Sequence, residues 1–113
     1  MKYMLLIYHD EQAFTGLTED ERQAMYKAYR DLREELTTTS KFITGSQLQP
    51  ASTASSVRVR NGRAITTDGP FAETKEQLGG YFLIDVETAA EANAVAARIP
   101  SAEKGTVEVR ALV

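Results

Sequence analysis

A chain of 113 residues with 16 acidic and 13 basic side chains, net charge −3, has room for one domain with a modest core. Its charges are mixed along the sequence, which argues against a broad nucleic-acid-binding surface. The absence of cysteine excludes a disulfide framework, a zinc–thiolate site and a thiol nucleophile, and suits a reducing, cytoplasmic setting.

The first eight residues, MKYMLLIY, read as a strand. Tyr3, Leu5 and Ile7 point to one face and Met4, Leu6 and Tyr8 to the other, so both faces are apolar. The run is too short to span a membrane, and no signal-cleavage pattern follows it. Next, Thr18-Glu-Asp-Glu21 forms a capping box ahead of a helix. Met25, Tyr29, Leu32 and Leu36 make one buried helical stripe.

Residues 41–48 (KFITGSQL) read as a second strand, and residues 49–56 (QPASTASS) as a loop. Residues 57–67 hold a hairpin, VRVR-NG-RAITT, in which Asn61-Gly62 suits a type I′ turn. Arg58, Arg60 and Arg63 are a solvated strand face. Residues 68–80, DGPFAETKEQLGG, then form a thirteen-residue loop, long beside the roughly 2–6 residues usual in small domains. Tyr81–Val86 is a third core strand, apolar on both faces. Thr88 to Glu91 caps a second helix with Ala92, Val95, Ala96 and Ile99 as its stripe, ended by Pro100. The last strand, TVEVRALV, has one wet face.

Removing the hairpin leaves βαββαβ, a ferredoxin-like α+β domain over residues 1–113. That topology places the first and third core strands centrally, and these are the two strands apolar on both faces. Two helices cover only one face of such a sheet. The uncovered apolar face predicts a sheet-to-sheet homodimer; the alternative is a monomer whose hairpin folds back over it.

In this topology the end of the first strand meets the start of the third, which brings the 68–80 loop towards His9, the single histidine. Imidazoles ordinarily titrate near neutral pH and serve as acid or base. Asp10, next along the strand, points the other way, so Asp68 or Glu73 is the expected orienting carboxylate for His9. Lys75 is expected to contact an anionic oxygen, Tyr8 or Tyr81 to donate a hydrogen bond, and Phe71 to fill the small core at the loop. Asp68-Gly69-Pro70 is also a turn signal in its own right. One histidine and no cysteine argue against a transition-metal site, leaving carboxylate-held magnesium open. No phosphate loop, dinucleotide fingerprint or G-x-S-x-G element is present. No cofactor is therefore expected.

The stretch TDGPFAETKEQLGGYFLIDV, with MKYMLLIYHDE before it and RIPSAEKGTVEVRALV after it, resembles the DGPF branch of the YCII-related family across essentially the whole chain. The resemblance implies a dimeric α+β barrel of ferredoxin-like subunits, the architecture of muconolactone isomerase. Enzymatic roles in that family are proposed from a cleft with a His–Asp pair whose histidine lies on the first helix. The first helix here carries Tyr26 and Tyr29 and no histidine. Residues Asp68, Gly69, Pro70 and Phe71 match the motif that marks the branch. The resemblance also implies a partnership with an extracytoplasmic-function sigma factor. Two functions are thus expected: a small-molecule-binding dimer with cofactor-independent acid–base chemistry of the isomerase or lyase type, or a non-catalytic accessory module.

Overall fold

The computed structural model describes residues 1–113. Along the chain run β1 (Lys2–His9), α1 (Glu11–Thr15), α2 (Glu19–Thr38), β2 (Phe42–Gln47), β3 (Ser55–Arg60), β4 (Arg63–Asp68), β5 (Gln77–Asp85), α3 (Ala89–Ala97) and β6 (Thr106–Ala111), with 3₁₀ turns at Ala51–Thr53 and Pro100–Glu103. Four strands form one antiparallel sheet in the order β2-β5-β1-β6, and β3 pairs only with β4. This is the ferredoxin-like arrangement with an inserted hairpin.

Local signals act where the sequence puts them. The Thr18 hydroxyl accepts from the Glu21 amide at 3.1 Å, and the Glu21 carboxylate accepts from the Thr18 amide at 3.0 Å. Two of the four donors left free at a helix start are thereby satisfied. Thr88 caps α3 through the Glu91 amide at 3.1 Å. Asn61 and Gly62 adopt φ of 55° and 75°, as a type I′ turn requires at both central positions.

The core lies between the sheet and α2 and α3. Tyr3, Leu5 and Ile7 of β1 and Phe82 and Ile84 of β5 meet Leu32 and Leu36 of α2 and Ala92, Val95 and Ala96 of α3, with Ile99 sealing the end. Phe82 makes edge contacts with Phe42 and Tyr29, ring centroids 5.3 and 6.2 Å apart. The opposite sheet face, with Met4, Leu6, Tyr8, Tyr81 and Leu83, has no helix over it and is half-buried only by its own neighbours.

Three readings of the sequence change, and one alternative falls. Only residues 69–76 are loop: Asp68 closes β4, and Gln77–Gly80 already belong to β5. The glycines of that segment masked the strand, for a reason visible in the register. Ile7 pairs with Gly80 and Tyr8 with Leu78, leaving Gly79 as an extra residue in β5, a β-bulge. Second, α1 was not anticipated; five residues are too few to show helical periodicity. Third, Phe71 is 81% exposed and fills no core. Finally, the hairpin does not fold back over the sheet. Its Val57, Val59 and Ile65 are exposed, and the molecule measures 48 × 39 × 19 Å with a radius of gyration of 15.9 Å, against about 13 Å for a compact chain of this length.

Candidate functional site

At the end of β1 the chain turns into α1, and a cavity of about 270 Å³ opens between this end of the sheet and α2. His9 stands on its wall, on the helix-covered face like Ile7 two residues earlier. Its imidazole is held on two sides. A Cβ at Gly79 would sit 2.3 Å from the His9 Cε1 and 2.8 Å from Nδ1, so the ring lies directly over the bulge, where only glycine leaves space. On its other side, Phe14 of α1 stacks almost parallel to it, centroids 5.4 Å apart at 12°. The Arg22 guanidinium lies 5.7 Å from the Phe14 centroid, within cation–π range, and is paired with Glu19 at 3.3 Å.

Short as it is, α1 is fastened at several points. Asp10 caps it, accepting from the Gln12 amide at 2.9 Å. The Glu11 amide donates to the Gln77 side chain at 3.1 Å, and the Glu11 carboxylate accepts from the Ala51 amide at 2.8 Å. These bonds tie α1 to the start of β5 and to the turn after β2, and so keep Phe14 against His9.

The opposite wall belongs to α2. Met25 and Tyr29 from its buried stripe, and Tyr26, Arg30 and Arg33 one step round the helix, all face the cavity. The Tyr29 hydroxyl is 2.7 Å from the hydroxyl of the buried Ser101. Burial pushes the Tyr29 phenol above its ordinary 10.0, more than the Ser101 hydrogen bond lowers it, so Tyr29 is neutral at physiological pH and able to donate. Gly80, Ser46 and Gln47 complete the strand side. The lining contains two arginines and a histidine but no aspartate or glutamate, in a chain whose acids outnumber its bases. Neither Arg30 nor Arg33 takes part in any of the chain's ion pairs.

The residues expected from sequence divide three ways. His9 is in the cavity. Tyr8 and Tyr81 lie on the other face of the sheet, as strand alternation dictates, and do not line it. Asp68, Phe71, Glu73 and Lys75 are exposed on β4 and its following loop, outside the cavity lining. Neither the Asp68 nor the Glu73 carboxylate bonds to His9, and no cluster of three or more acidic or imidazole groups is placed to hold a metal ion. The 68–80 segment does reach His9, but through the part that is strand: Gln77 of β5 is the ladder partner of His9, while Glu76, the last loop residue, accepts from the Thr106 hydroxyl at 2.9 Å. Phe14, Tyr26, Arg30, Arg33 and Ser101 were not anticipated. The available signal was Tyr26-Arg30-Arg33 at i, i+4, i+7, beside the apolar stripe on the same helix.

No helix is long and apolar enough to cross a membrane. The profile of the YCII-related domain matches residues 1–113. Uncharacterized protein R00369 of Rhizobium meliloti (strain 1021) is 33% identical over 114 residues, an alignment spanning 99% of this chain and 92% of that protein. A whole-length domain match, a relative aligned nearly end to end and a ferredoxin-like sheet agree, and the chain belongs to the YCII-related family.

Proposed function

We propose that this protein binds a small organic molecule in the cavity between α2 and the β1–β5 strands, with His9 as the group that exchanges a proton with it. The carrying observation is the clamped imidazole: His9 is fixed between the Gly79 bulge and the Phe14 ring, at the wall of a cavity of about 270 Å³. A side chain held in this way begins any proton transfer already oriented. Tyr29, neutral and bonded to Ser101, is placed to donate a hydrogen bond to a developing oxyanion. No carboxylate orients His9, so the support is for proton transfer by a single imidazole rather than by a His–Asp pair. Isomerisation or elimination next to a carbonyl is the reaction type this suits.

The unit of function is proposed to be a homodimer joined through the helix-free sheet face. Met4, Leu6, Tyr8, Tyr81 and Leu83 make a contiguous apolar surface there, of the kind that marks association in soluble proteins.

An NMR titration of the His9 ring signals, alone and with small aromatic acids, lactones and dicarbonyl compounds, tests the binding reading. One histidine per chain gives one unambiguous pair of signals. Movement of those signals by one compound class, and its conversion by the native protein but not by His9→Ala, is the expected result. Signals that no compound disturbs overturn the binding reading and leave the accessory-module reading, whose assay is association with a sigma factor.

A further inference from the structure

The chemistry of the cavity walls narrows what enters. The space is small. An apolar cavity of about 150 Å³ already takes benzene, and pockets for drug-sized ligands start at roughly 300 Å³, so about 270 Å³ is the size for one ring and one substituent. The inner walls are apolar and aromatic, from Phe14, Met25 and Phe82. On the strand side, next to Phe82, Gly79 and Gly80 carry no side chains and the His9 ring lies over Gly79, which favours a flat molecule over a branched one.

The charge at the opening is one-sided. Arg30 and Arg33 are exposed on consecutive turns of α2, both line the cavity, and neither is neutralised by an acid. Elsewhere α2 pairs its cations, Arg22 with Glu19 and Lys27 with Asp31 at 2.7 Å. Two free guanidiniums at the rim of an acid-free cavity attract an anion, and a guanidinium fork matches a carboxylate geometrically.

We propose that the ligand is a planar monocarboxylate one ring in size, its carboxylate held at the rim by Arg30 and Arg33 and its ring placed among Phe14, Met25 and Phe82, within reach of His9. This deepens, and rests on, the small-molecule reading above. The ring supplies apolar burial, the arginines supply orientation, and the atom presented to His9 is at the end of the ligand away from the carboxylate.

The test uses a matched set of probes: benzoate, its neutral isostere benzamide, and inorganic phosphate, each titrated against the His9 ring signals of the native protein and of the R30Q/R33Q double variant. Both arginines are exposed and outside the core, so the variant folds; its circular dichroism checks that. Benzoate is expected to move the His9 signals saturably, with benzamide and phosphate at least about tenfold weaker, and the double variant is expected to lose about tenfold in benzoate affinity, as for removal of a charge-assisted hydrogen bond. Benzamide equal to benzoate, or benzoate affinity unchanged in the double variant, overturns the carboxylate assignment. Phosphate equal to benzoate overturns the ring. If all three are silent while a lactone or dicarbonyl compound moves His9, the ligand class is wrong and the cavity reading stands. Silence from every compound overturns both.

Discussion

Gly79 and His9 form a single unit. The missing side chain of one is the resting place of the other, and Phe14 prevents the imidazole from swinging away cheaply. Gly79→Ala places a methyl group 2.3 Å from the His9 Cε1, so the ring must leave its stack or β5 must shift. Overpacking of this kind costs about 1–3 kcal/mol. The expected result is a destabilisation of that size in urea unfolding, with displaced His9 ring signals in the folded protein. Tyr29 gives a second test. Its phenol is raised above 10.0 by burial, so its stabilising contribution is complete below pH 10 and is lost as pH rises through the higher folded value. Tyr29→Phe is expected to flatten the fall in stability above pH 10. At neutral pH it should cost about 1–3 kcal/mol, by leaving the buried Ser101 hydroxyl unpartnered. Denaturant titrations at pH 8 and at pH 10.5 separate the two effects.

Elements were legible in proportion to how local their causes are. The capping box at Thr18–Glu21 and the Asn61-Gly62 turn are decided within four residues, and both form as read. Thr18→Ala is expected to remove about 1 kcal/mol, the usual worth of an N-cap, measurable as a shift of the urea midpoint. The Glu21 carboxyl of the same box is held below its ordinary 4.5, first by the Thr18 backbone N–H and then by the Thr18 hydroxyl. Its contribution is therefore present above that value and fades as pH falls through the lower folded one. The start of β5 was not legible, because a bulge needs its partner strand to be recognised and its glycines look like a turn. Nor was the cavity. Only the packing of α2 over the end of β1 brings Arg30 and Arg33 to the rim of a cavity. His9 was found because it is alone; the carboxylates expected to orient it, Asp68 at the end of β4 and Glu73 in the loop, were placed by topology, which brings only the β5 end of that segment to His9.

For the whole molecule, the decisive fact is that one apolar sheet face has no cover within the chain. The pattern of β1 and β5 showed this from sequence, since their side chains are apolar on both sides. Leu6 stands on that face midway along β1, opposite Tyr81 and Glu108 on the flanking strands, and contributes nothing to the core under the helices. Leu6→Glu is thus expected to leave the chain folded and to convert the proposed dimer into a monomer in analytical ultracentrifugation. A native protein that sediments as a monomer at micromolar concentration would remove the dimer proposal.

The β3–β4 arm has its own bearing on that experiment. A two-stranded ribbon alone in water is marginal, and this one carries Arg58, Arg60 and Arg63 around its tip with its valines exposed. Trypsin cuts after arginine, and only where the backbone can be drawn out of its ladder. The rate at which the arm is nicked therefore measures how firmly it is held. If assembly shelters the arm, nicking slows with protein concentration and quickens in Leu6→Glu; if the arm is bare in every state, one rate serves for all. A segment that contributes nothing to its own chain's core thus becomes a built-in gauge of whether that chain keeps company.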